Sequence, residues 1–564
     1  MKNKILSIIA VVTLMTSATS CIREIEPQTS YETSYATVDQ VGNAPGAFNN
    51  AVDAITATLT GQFVYSPSNE YLYDLGIPAF YLERDIMGQD IVYPYQNWYT
   101  YWYTSQYLGP SYRFSQLPWT YYYGWIKSCN EVISMAGEQP SDKQKAGAGI
   151  AYAMRAYFYM DLARMYCQKP YAVDKNDVTV PIVNETKSVA DLTTNPRATN
   201  EEIWQFILSD LDKAEEYLAG YKRTNILTPD QSVAYGLKAR AYLEMEDWAN
   251  AEKYAKLAQN GYTIMTADQY TDWETGFNTP NGAWMLGMQY KSDDPQILRN
   301  DADSSWGSLM CIEINPKVSG CGYAANYGQP FCIDRHLYET IPATDCRKKC
   351  YIDFEIDNLP TDAAKVEALS VYSNHPDWLL NTGKTAAGQG YIGVGGLPLK
   401  FRTAGGEAGR DNQYVGFVVA VPMMRVEEMY LIEAEAAGMQ SEERGKQLLT
   451  AFAKTRDANY EYGTHGSEAY YNGSTGQFRN EVWWQRRVEL WGEGFATFDI
   501  KRLQKGIIRS YAGTNHTDQY QWNVETTPQW MNWCIVQTET NYNTACTNNP
   551  DPKGLSGNSA PYAW

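Results

Sequence analysis

Apolar and small residues recur at helical spacing through most of residues 118–258, and this pattern constrains the possible fold more than any other feature. The stretches 118–133 and 148–163 each predict a helix, and the two are expected to pack together. A third helix is predicted within 199–220, between a capping Thr or Asn and a stopping Gly. In 232–258, small and aromatic residues flank an acidic turn, as in one tetratricopeptide-type repeat. The sequence therefore predicts a mainly α fold.

The helical period fades between residues 262 and 420, where Gly, Pro, Asn and Asp become frequent. Short strand-like runs occur at 309–314 and 414–421. Helices return in three later segments, 423–438, 442–458 and 478–492. We therefore predict tetratricopeptide-like helical repeats packed against an irregular, loop-rich lobe with a few short strands.

The first twenty residues have the order of a bacterial export signal. Two lysines precede an apolar run over 5–15, which is too short to span a bilayer as a mature helix, and small residues follow it. Ala18-Thr19-Ser20-Cys21 resembles the bacterial lipobox, in which the cysteine is acylated and becomes the first mature residue. We predict a signal peptide over 1–20 and a lipid anchor on Cys21. Ordinary cleavage beside an incidental cysteine is the alternative.

The charge of the chain excludes one class of partner. Its 46 Lys and Arg residues against 65 Asp and Glu residues give a formal net charge of -19. This field repels polyanions, so we predict no nucleic-acid partner. The chain has only four histidines and no paired C-x-x-C spacing, and it lacks the phosphate-binding and metalloprotease motifs. We therefore predict no metal and no cofactor.

Nine cysteines remain if Cys21 is lipidated, and more than half of them cluster. The clustered residues are Cys311, Cys321, Cys332, Cys346 and Cys350. Disulfides form readily in exported proteins, so we expect one or more within this cluster. The sequence leaves their connectivity open.

Aromatic residues make up 14% of the chain and are densest between residues 93 and 123. The run 98–103 would be aromatic on every face of a helix or a strand, so some of its rings are expected to face solvent. Exposed rings suit a sugar, whose C–H face stacks on an aromatic plane while its hydroxyls bind polar side chains. For each single ring, core packing is the alternative. The candidate ligand-binding residues here are Arg84, Asp90, Asn97, Trp98, Tyr101 and Trp102.

Two carboxylates near the C-terminus allow an enzymatic interpretation. Glu489 and Glu493 lie one helical turn apart, as a catalytic pair could. Arg486 lies within a turn of Glu489, and a nearby guanidinium lowers the pKa of a carboxyl group. We favour ion-paired helix packing and predict no catalytic residue.

Six short blocks, each weak alone, follow one another along the chain. They are Trp119-x3-Tyr123-x2-Ile126-x3-Asn130, Met154-Arg155-Ala156-x2-Tyr159-x2-Leu162, Glu202-Ile203-x3-Ile207-x2-Asp210-Leu211-x2-Ala214, Leu237-x-Ala239-Arg240-x-Tyr242-Leu243-x4-Trp248-x2-Ala251, Arg425-x2-Glu428-Met429-Tyr430-Leu431-Ile432-x-Ala434-Glu435-Ala436, and Arg486-Arg487-x-Glu489-Leu490-x2-Glu493-Gly494-x4-Asp499-x2-Arg502. Together with the lipobox-like start, this order resembles the SusD/RagB family of outer-membrane nutrient-uptake lipoproteins of Bacteroidetes.

The resemblance implies a helical half that packs on a SusC-like TonB-dependent transporter and a loop-rich half that binds glycan, or peptide in some members. It also implies a non-catalytic protein that is lipid-anchored and surface-exposed at the outer membrane. Members bind ligand with aromatic arcs from two segments. Here these would be 98–103 and the stretch that holds Trp284, Tyr290 and Trp306.

We thus predict a protein that captures oligosaccharide or polysaccharide and delivers it to its transporter. A surface glycoside hydrolase, and a scaffold that only seals the transporter, are the competing classes. The predicted regions are a signal peptide over 1–20, an N-terminal helical SusD-like region with tetratricopeptide-type repeats over 21–265, a ligand-facing lobe over 266–420, and a C-terminal RagB/SusD region over 421–564.

Overall fold

Helices account for most of the first half of the molecule. The computed structural model describes residues 46–62, 71–93, 98–299, 303–317, 322–327, 330–384, 392–466 and 475–564. The helices of the first half are α1 (Ala47–Ala57), α2 (Ile77–Ile86), α3 (Thr100–Tyr103), α4 (Arg113–Ala136), α5 (Lys145–Tyr166), α6 (Val189–Leu192), α7 (Asn200–Tyr217), α8 (Gln231–Glu244) and α9 (Trp248–Ala258).

Local signals explain where the helices α7 to α9 begin and end. The Thr199 hydroxyl accepts a hydrogen bond from the Glu202 N–H, and the Glu202 carboxylate accepts one from the Thr199 N–H, which forms a capping box. The Asp247 side chain caps α9. Glu246, in the left-handed region at φ 55°, makes the turn between α8 and α9. The helices predicted within 118–258 are therefore confirmed.

Short helices, 3-10 turns and short strands make up the rest of the described chain. The helices are α10 (Ala267–Tyr270), α11 (Pro295–Leu298), α12 (Trp306–Met310), α13 (Tyr323–Tyr327), α14 (Arg335–Thr340), α15 (Asp362–Leu369), α16 (Pro376–Thr382), α17 (Gly406–Arg410), α18 (Gln413–Gly416), α19 (Val426–Gln440), α20 (Glu442–Ala453), α21 (Gln477–Glu489), α22 (Ala496–Arg502) and α23 (Gln537–Tyr542). The 3-10 helices are Cys346–Cys350, Phe354–Asn358 and Gln529–Met531. The strands are β1 (Ile91–Val92), β2 (Trp284–Gln289), β3 (Cys332–Ile333), β4 (Ala420–Arg425), β5 (Ile507–Ile508) and β6 (Asn523–Val524).

The strands form antiparallel pairs, β1 with β3, β2 with β4 and β5 with β6. In the longest pair, Trp284 of β2 lies opposite Arg425 of β4, which joins the loop-rich lobe to the C-terminal region. Helix α8 packs closely on this pair. A Cβ atom at Gly236 would lie 2.4 Å from the Met424 sulfur, so a larger residue there would have to displace the Met424 side chain.

Several predicted boundaries change, and three of the changes concern helix against strand. The run 309–314 is not a strand, because it starts within α12, whose first turn is capped by Ser305. In the run 414–421 only the end is extended, since α18 precedes it. The helix predicted from residue 423 starts at Val426, because the preceding residues pair in β4. Short apolar runs have no period that separates buried helix from buried strand.

One apolar core extends through the molecule, from Val52 to Cys546. It contains residues on both sides of the boundaries predicted at 265 and 420, which stay predictions. A smaller cluster, around Leu379 and other residues of the loop-rich lobe, packs beside it. In the described part of the chain, no helix is both long and apolar enough to cross a membrane.

The described cysteines are free and buried, so the disulfides expected in the cluster do not form among them. Cys311 and Cys350 lie in the main core, whereas Cys332 packs into the cluster of the loop-rich lobe. Burial raises the pKa of the Cys346 thiol to about 11. Cys321 lies outside the described residues.

Candidate ligand-binding site

A continuous series of aromatic rings lies around α3 and the start of α4. Neighbouring ring centroids are 4.2 to 6.1 Å apart, and most pairs meet edge-on. The closest pair is Tyr101 stacked on Phe114 at 4.2 Å. Tyr71 stacks on Tyr73 at 5.3 Å beside this series. We name the cluster the aromatic platform, with the members Trp98, Tyr71, Tyr73, Trp102, Phe114, Tyr101, Tyr107 and Tyr112.

The platform has open ends and a buried base. Trp98 is 37% exposed at one end, while Tyr107 and Tyr112 are 52% and 43% exposed at the other. Trp102 is buried and contacts Tyr73 edge-on at 5.5 Å, which supports the exposed rings from below. The buried rings fix the positions of the open ones, so a ligand meets a surface that is already ordered.

The backbone between α3 and α4 is shaped to present these rings. Ser105 and Tyr107 adopt left-handed conformations at φ 52° and 59°. Such a conformation costs a non-glycine residue about 1–2 kcal/mol. The surrounding structure holds it, because the Gln106 N–H donates to the Tyr101 carbonyl and the Ser115 hydroxyl donates to the Leu108 carbonyl. Strained backbone of this kind concentrates at ligand-binding sites.

Polar groups surround the rings. The Arg113 guanidinium lies 3.9 Å from the Tyr71 ring centroid and donates to the Tyr73 hydroxyl at 3.3 Å. Gln106 is exposed beside Tyr107. Asp551, also exposed, lies against the chain at Gly109, where a Cβ atom would be 3.0 Å from its carboxylate oxygen. These groups could bind the hydroxyls of a sugar.

Both charged residues among the predicted ligand-binding residues are buried in the interior. Arg84 is buried in α2, where its guanidinium pairs with Asp161 at 3.0 Å and donates to the Gly494 carbonyl. Asp90 is buried and pairs with Arg487 at 2.6 Å. The prediction for these two is corrected, because both side chains are buried and paired inside the protein, where a ligand on the surface cannot reach them. Asn97 lies outside the described residues.

Four predicted aromatic ligands are corrected too. Trp102, Trp284, Tyr290 and Trp306 are at most 1% exposed, so none offers a free ring face. Trp306 packs edge-on against Phe401 at 5.0 Å, in the core. Of the predicted residues, Trp98 and Tyr101 lie on the platform with rings that are not fully buried, and Trp102 forms its buried base. Tyr71 and Asp551 were missed, since no local pattern links them to this segment.

The C-terminal carboxylates belong to a buried network of charges. Glu489 pairs with Arg347, Arg425 and Arg456 at 3.0 to 3.4 Å. Burial alone would raise the pKa of Glu489, but the guanidinium groups of Arg456 and Arg425 outweigh it and hold the pKa far below its usual value. Ion-paired packing is therefore confirmed. The partners differ from the expected one, because Arg486 pairs with a different carboxylate.

The second carboxylate is held in the same network. Glu493 pairs with Lys400 at 2.7 Å and with Arg425 at 2.8 Å. Both carboxylates are closed to solvent. Among the described residues there is no cluster of three or more His, Cys, Asp or Glu side chains that could hold a metal ion.

Two family models match the chain. One, described as starch-binding and associating with the outer membrane, matches residues 83–243, which include most of the platform. The other, described as the SusD family, matches residues 288–551. The chain belongs to the SusD/RagB family. Its predicted family and fold class are thereby confirmed.

Relatives and solved structures agree with this SusD/RagB assignment. SusD-like protein P2 of Formosa agariphila is 24% identical over 397 residues, which cover 69% of this chain and 71% of that protein. A SusD-like carbohydrate binding protein from Bacteroides vulgatus aligns with a TM-score of 0.68 at 21% identity, over 91% of this chain and 98% of that one. Surface glycan-binding protein A from Bacteroides thetaiotaomicron, solved in complex with laminarihexaose, aligns with a TM-score of 0.61 at 16% identity, over 90% and 99%.

Proposed function

We propose that this SusD/RagB protein is a lipid-anchored, surface-exposed glycan-binding protein of the outer membrane. It captures oligosaccharide or polysaccharide and delivers it to a SusC-like TonB-dependent transporter, and it has no catalytic role. The observation that carries the proposal is the open part of the aromatic platform, where Trp98, Tyr107 and Tyr112 expose ring faces beside polar side chains.

The surface chemistry of the platform supports a carbohydrate ligand. A sugar ring presents a C–H face to an aromatic plane and hydroxyls to its edge, and the platform offers open rings together with Gln106, Arg113 and Asp551. The exposed rings lie in one series, so a chain of several sugar units would find more than one stacking face. A structural relative is named as a surface glycan-binding protein in complex with laminarihexaose.

The expected affinity is modest. Two or three stacking rings, each contributing about 1 kcal/mol, and a few hydroxyl contacts of about 1 kcal/mol each give a site in the micromolar to millimolar range after the costs of association. A protein that passes its ligand to a transporter benefits from such weakness, because slow release would block delivery.

A hydrolase would need a carboxylate pair open to substrate. Glu489 and Glu493, the pair considered from the sequence, are buried and bound to arginine and lysine side chains. An assay of reducing-end release separates a hydrolase from a binding protein. We expect no release above background from any glycan that the protein binds.

The binding test begins with a glycan array, which selects a ligand for the mature protein. That ligand is then titrated by calorimetry against wild type, Trp98→Ala and Tyr414→Ala. Tyr414 is 40% exposed on α18 and lies outside the platform, so it is a matched control for an exposed ring. We expect weaker binding for Trp98→Ala alone. Equal binding by all three proteins would refute the platform as the glycan site.

The anchor is tested separately. Cys21→Ala removes the only residue proposed to carry lipid, so the protein should leave the outer-membrane fraction of cells that lack a partner transporter. Complete retention of this variant in that fraction would contradict lipid anchoring at Cys21.

A further inference from the structure

A groove of about 520 Å³ runs along helix α4, separate from the stacking faces of the platform. Its floor includes Trp119, Tyr123 and Ile126, which recur every three or four residues and so share one face of the helix. The face continues to Ser134, which lies about 22 Å along the helix from Trp119 at 1.5 Å per residue. We name this surface the α4 groove. It is long enough for about four turns of a docked helix.

The walls of the α4 groove are held in place by hydrogen bonds. On one side, Asn130 of α4 donates to the Val183 carbonyl at 3.1 Å, which fixes the loop that enters α6. On the other, the Asn543 side chain donates to the Asn195 carbonyl at 2.6 Å, which ties the end of α23 to the segment that follows α6. The groove is therefore already formed without an occupant.

The lining of the groove is mainly apolar. Val183, Val189 and Leu192 supply aliphatic side chains along the wall. Trp119 in the floor is only 7% exposed, whereas Tyr542 at the rim is 79% exposed. Polar side chains such as Asn184, Thr193 and Glu131 also line the groove, but one open ring gives a sugar little to stack on. Apolar side chains of a polypeptide match this lining better.

The polar groups of the groove define what else an occupant needs. Asn543 is buried, and its Oδ1 accepts no hydrogen bond from any described residue. Glu539 has no Lys, Arg or His of the described chain within ion-pair distance, whereas Lys127 and Glu131 pair with each other at 3.8 Å and Glu185 pairs with Arg155. The groove thus presents one uncompensated negative charge, whereas the Asn543 oxygen is closed to solvent beneath its surface.

We propose that the α4 groove binds an amphipathic segment of a partner protein, with apolar side chains against α4 and a basic side chain near Glu539. The charge of the groove and the net charge of -19 both favour a basic segment over an acidic one. The proposal rests on the groove alone and does not depend on glycan binding at the platform.

The test uses a defined probe, a 14-residue Leu/Lys peptide with leucine at helical spacing and both ends capped. A matched peptide carries glutamate in place of each lysine. Binding of each fluorescently labelled peptide is measured by polarisation against the full-length mature protein. We expect the lysine peptide to bind and the glutamate peptide to bind at least tenfold more weakly.

Three variants locate the site. Ser134→Trp fills the groove from an exposed position, Glu539→Gln removes its charge but keeps an acceptor for Asn543, and Tyr542→Ala removes an exposed rim ring. We expect losses of about tenfold, threefold and threefold, with melting temperatures near that of wild type. Trp98→Ala, on the platform, should bind the peptide as wild type does.

The proposal is overturned if the lysine peptide does not bind, or if it binds Ser134→Trp and Glu539→Gln as tightly as wild type, which would indicate general attraction to an acidic surface. It is also overturned if laminarihexaose displaces the peptide and binds Ser134→Trp more weakly than wild type. That result would make the α4 groove a sugar site. None of these three outcomes would test the platform, whose own test is glycan binding by Trp98→Ala.

Discussion

The aromatic platform and the segment that holds Trp284, Tyr290 and Trp306 have similar side chains and opposite environments. Both are rich in Trp and Tyr, and both were predicted to bind ligand. In the platform, Trp98 is open to solvent at one end of a series of rings. In the other segment, each of the three rings is enclosed by the main core.

The difference lies in how each segment can hide its rings. Residues 98–103 are aromatic at every position except Thr100, and the short helix α3 cannot turn all of these rings inward. Residues 284–289 form β2, which is buried along almost its whole length. Trp284 is therefore enclosed on whichever face of the strand it lies. A high content of aromatic residues therefore indicates an exposed aromatic surface only where the rings follow one another so closely that the core cannot cover all of them.

The largest expected effect is a loss of stability when a buried ring of the second segment is removed. Trp306→Ala removes a buried ring and should lower the free energy of unfolding by about 3–5 kcal/mol. Trp102→Ala, in the buried base of the platform, should behave similarly. Urea unfolding gives the stability, and calorimetry on the folded fraction gives the affinity. If Trp306→Ala unfolded like wild type but lost glycan binding, the second segment would be a ligand surface after all.

A comparable loss is expected in the charge network. Glu489→Ala leaves Arg347, Arg425 and Arg456 buried without their shared carboxylate, which should cost about 3–5 kcal/mol of stability. Glycan affinity of the folded protein should not change. Loss of a measurable turnover with unchanged unfolding would instead favour an enzyme.

The next effect depends on pH and concerns the base of the platform. Glu83 of α2 is buried, and neither of its carboxylate oxygens has a hydrogen-bond partner among the described residues. Burial raises its pKa well above the usual 4.5. As pH rises above 4.5 the unfolded chain releases the proton that the folded protein keeps, so this group lowers stability increasingly until its folded pKa is reached.

Glu83→Gln should remove that pH dependence. The free energy of unfolding of the variant minus that of wild type should increase from pH 4.5 toward pH 8, by at most about 1.4 kcal/mol per pH unit. Urea unfolding at several pH values measures it. Parallel curves for the two proteins would mean that Glu83 is not held protonated.

Much of the fold could be predicted from the sequence, because helical period and capping residues act locally. The capping box at Thr199 and the turn at Glu246 both follow from neighbouring residues. The site could be predicted only in part. Arg84 and Asp90 are polar residues near the aromatic run, yet their partners Asp161 and Arg487 lie far along the chain and bury them. Such pairing has no local signature.

The smallest effects are expected at the open rings, and they are the most informative. Trp98→Ala should weaken binding of the glycan about tenfold, or about 1.4 kcal/mol. Tyr107→Ala should weaken it somewhat less, because a tyrosine ring has a smaller stacking face. Both side chains are substantially exposed, so neither change should lower the melting temperature much.

The most direct measurement of the central claim is the glycan affinity of the Trp98→Ala/Tyr107→Ala double variant, with the melting temperature recorded on the same sample. The account predicts a protein that melts like wild type and binds the array-selected glycan more weakly than either single variant. Wild-type affinity in a folded double variant would contradict it, since the open rings of the platform would then have no part in binding.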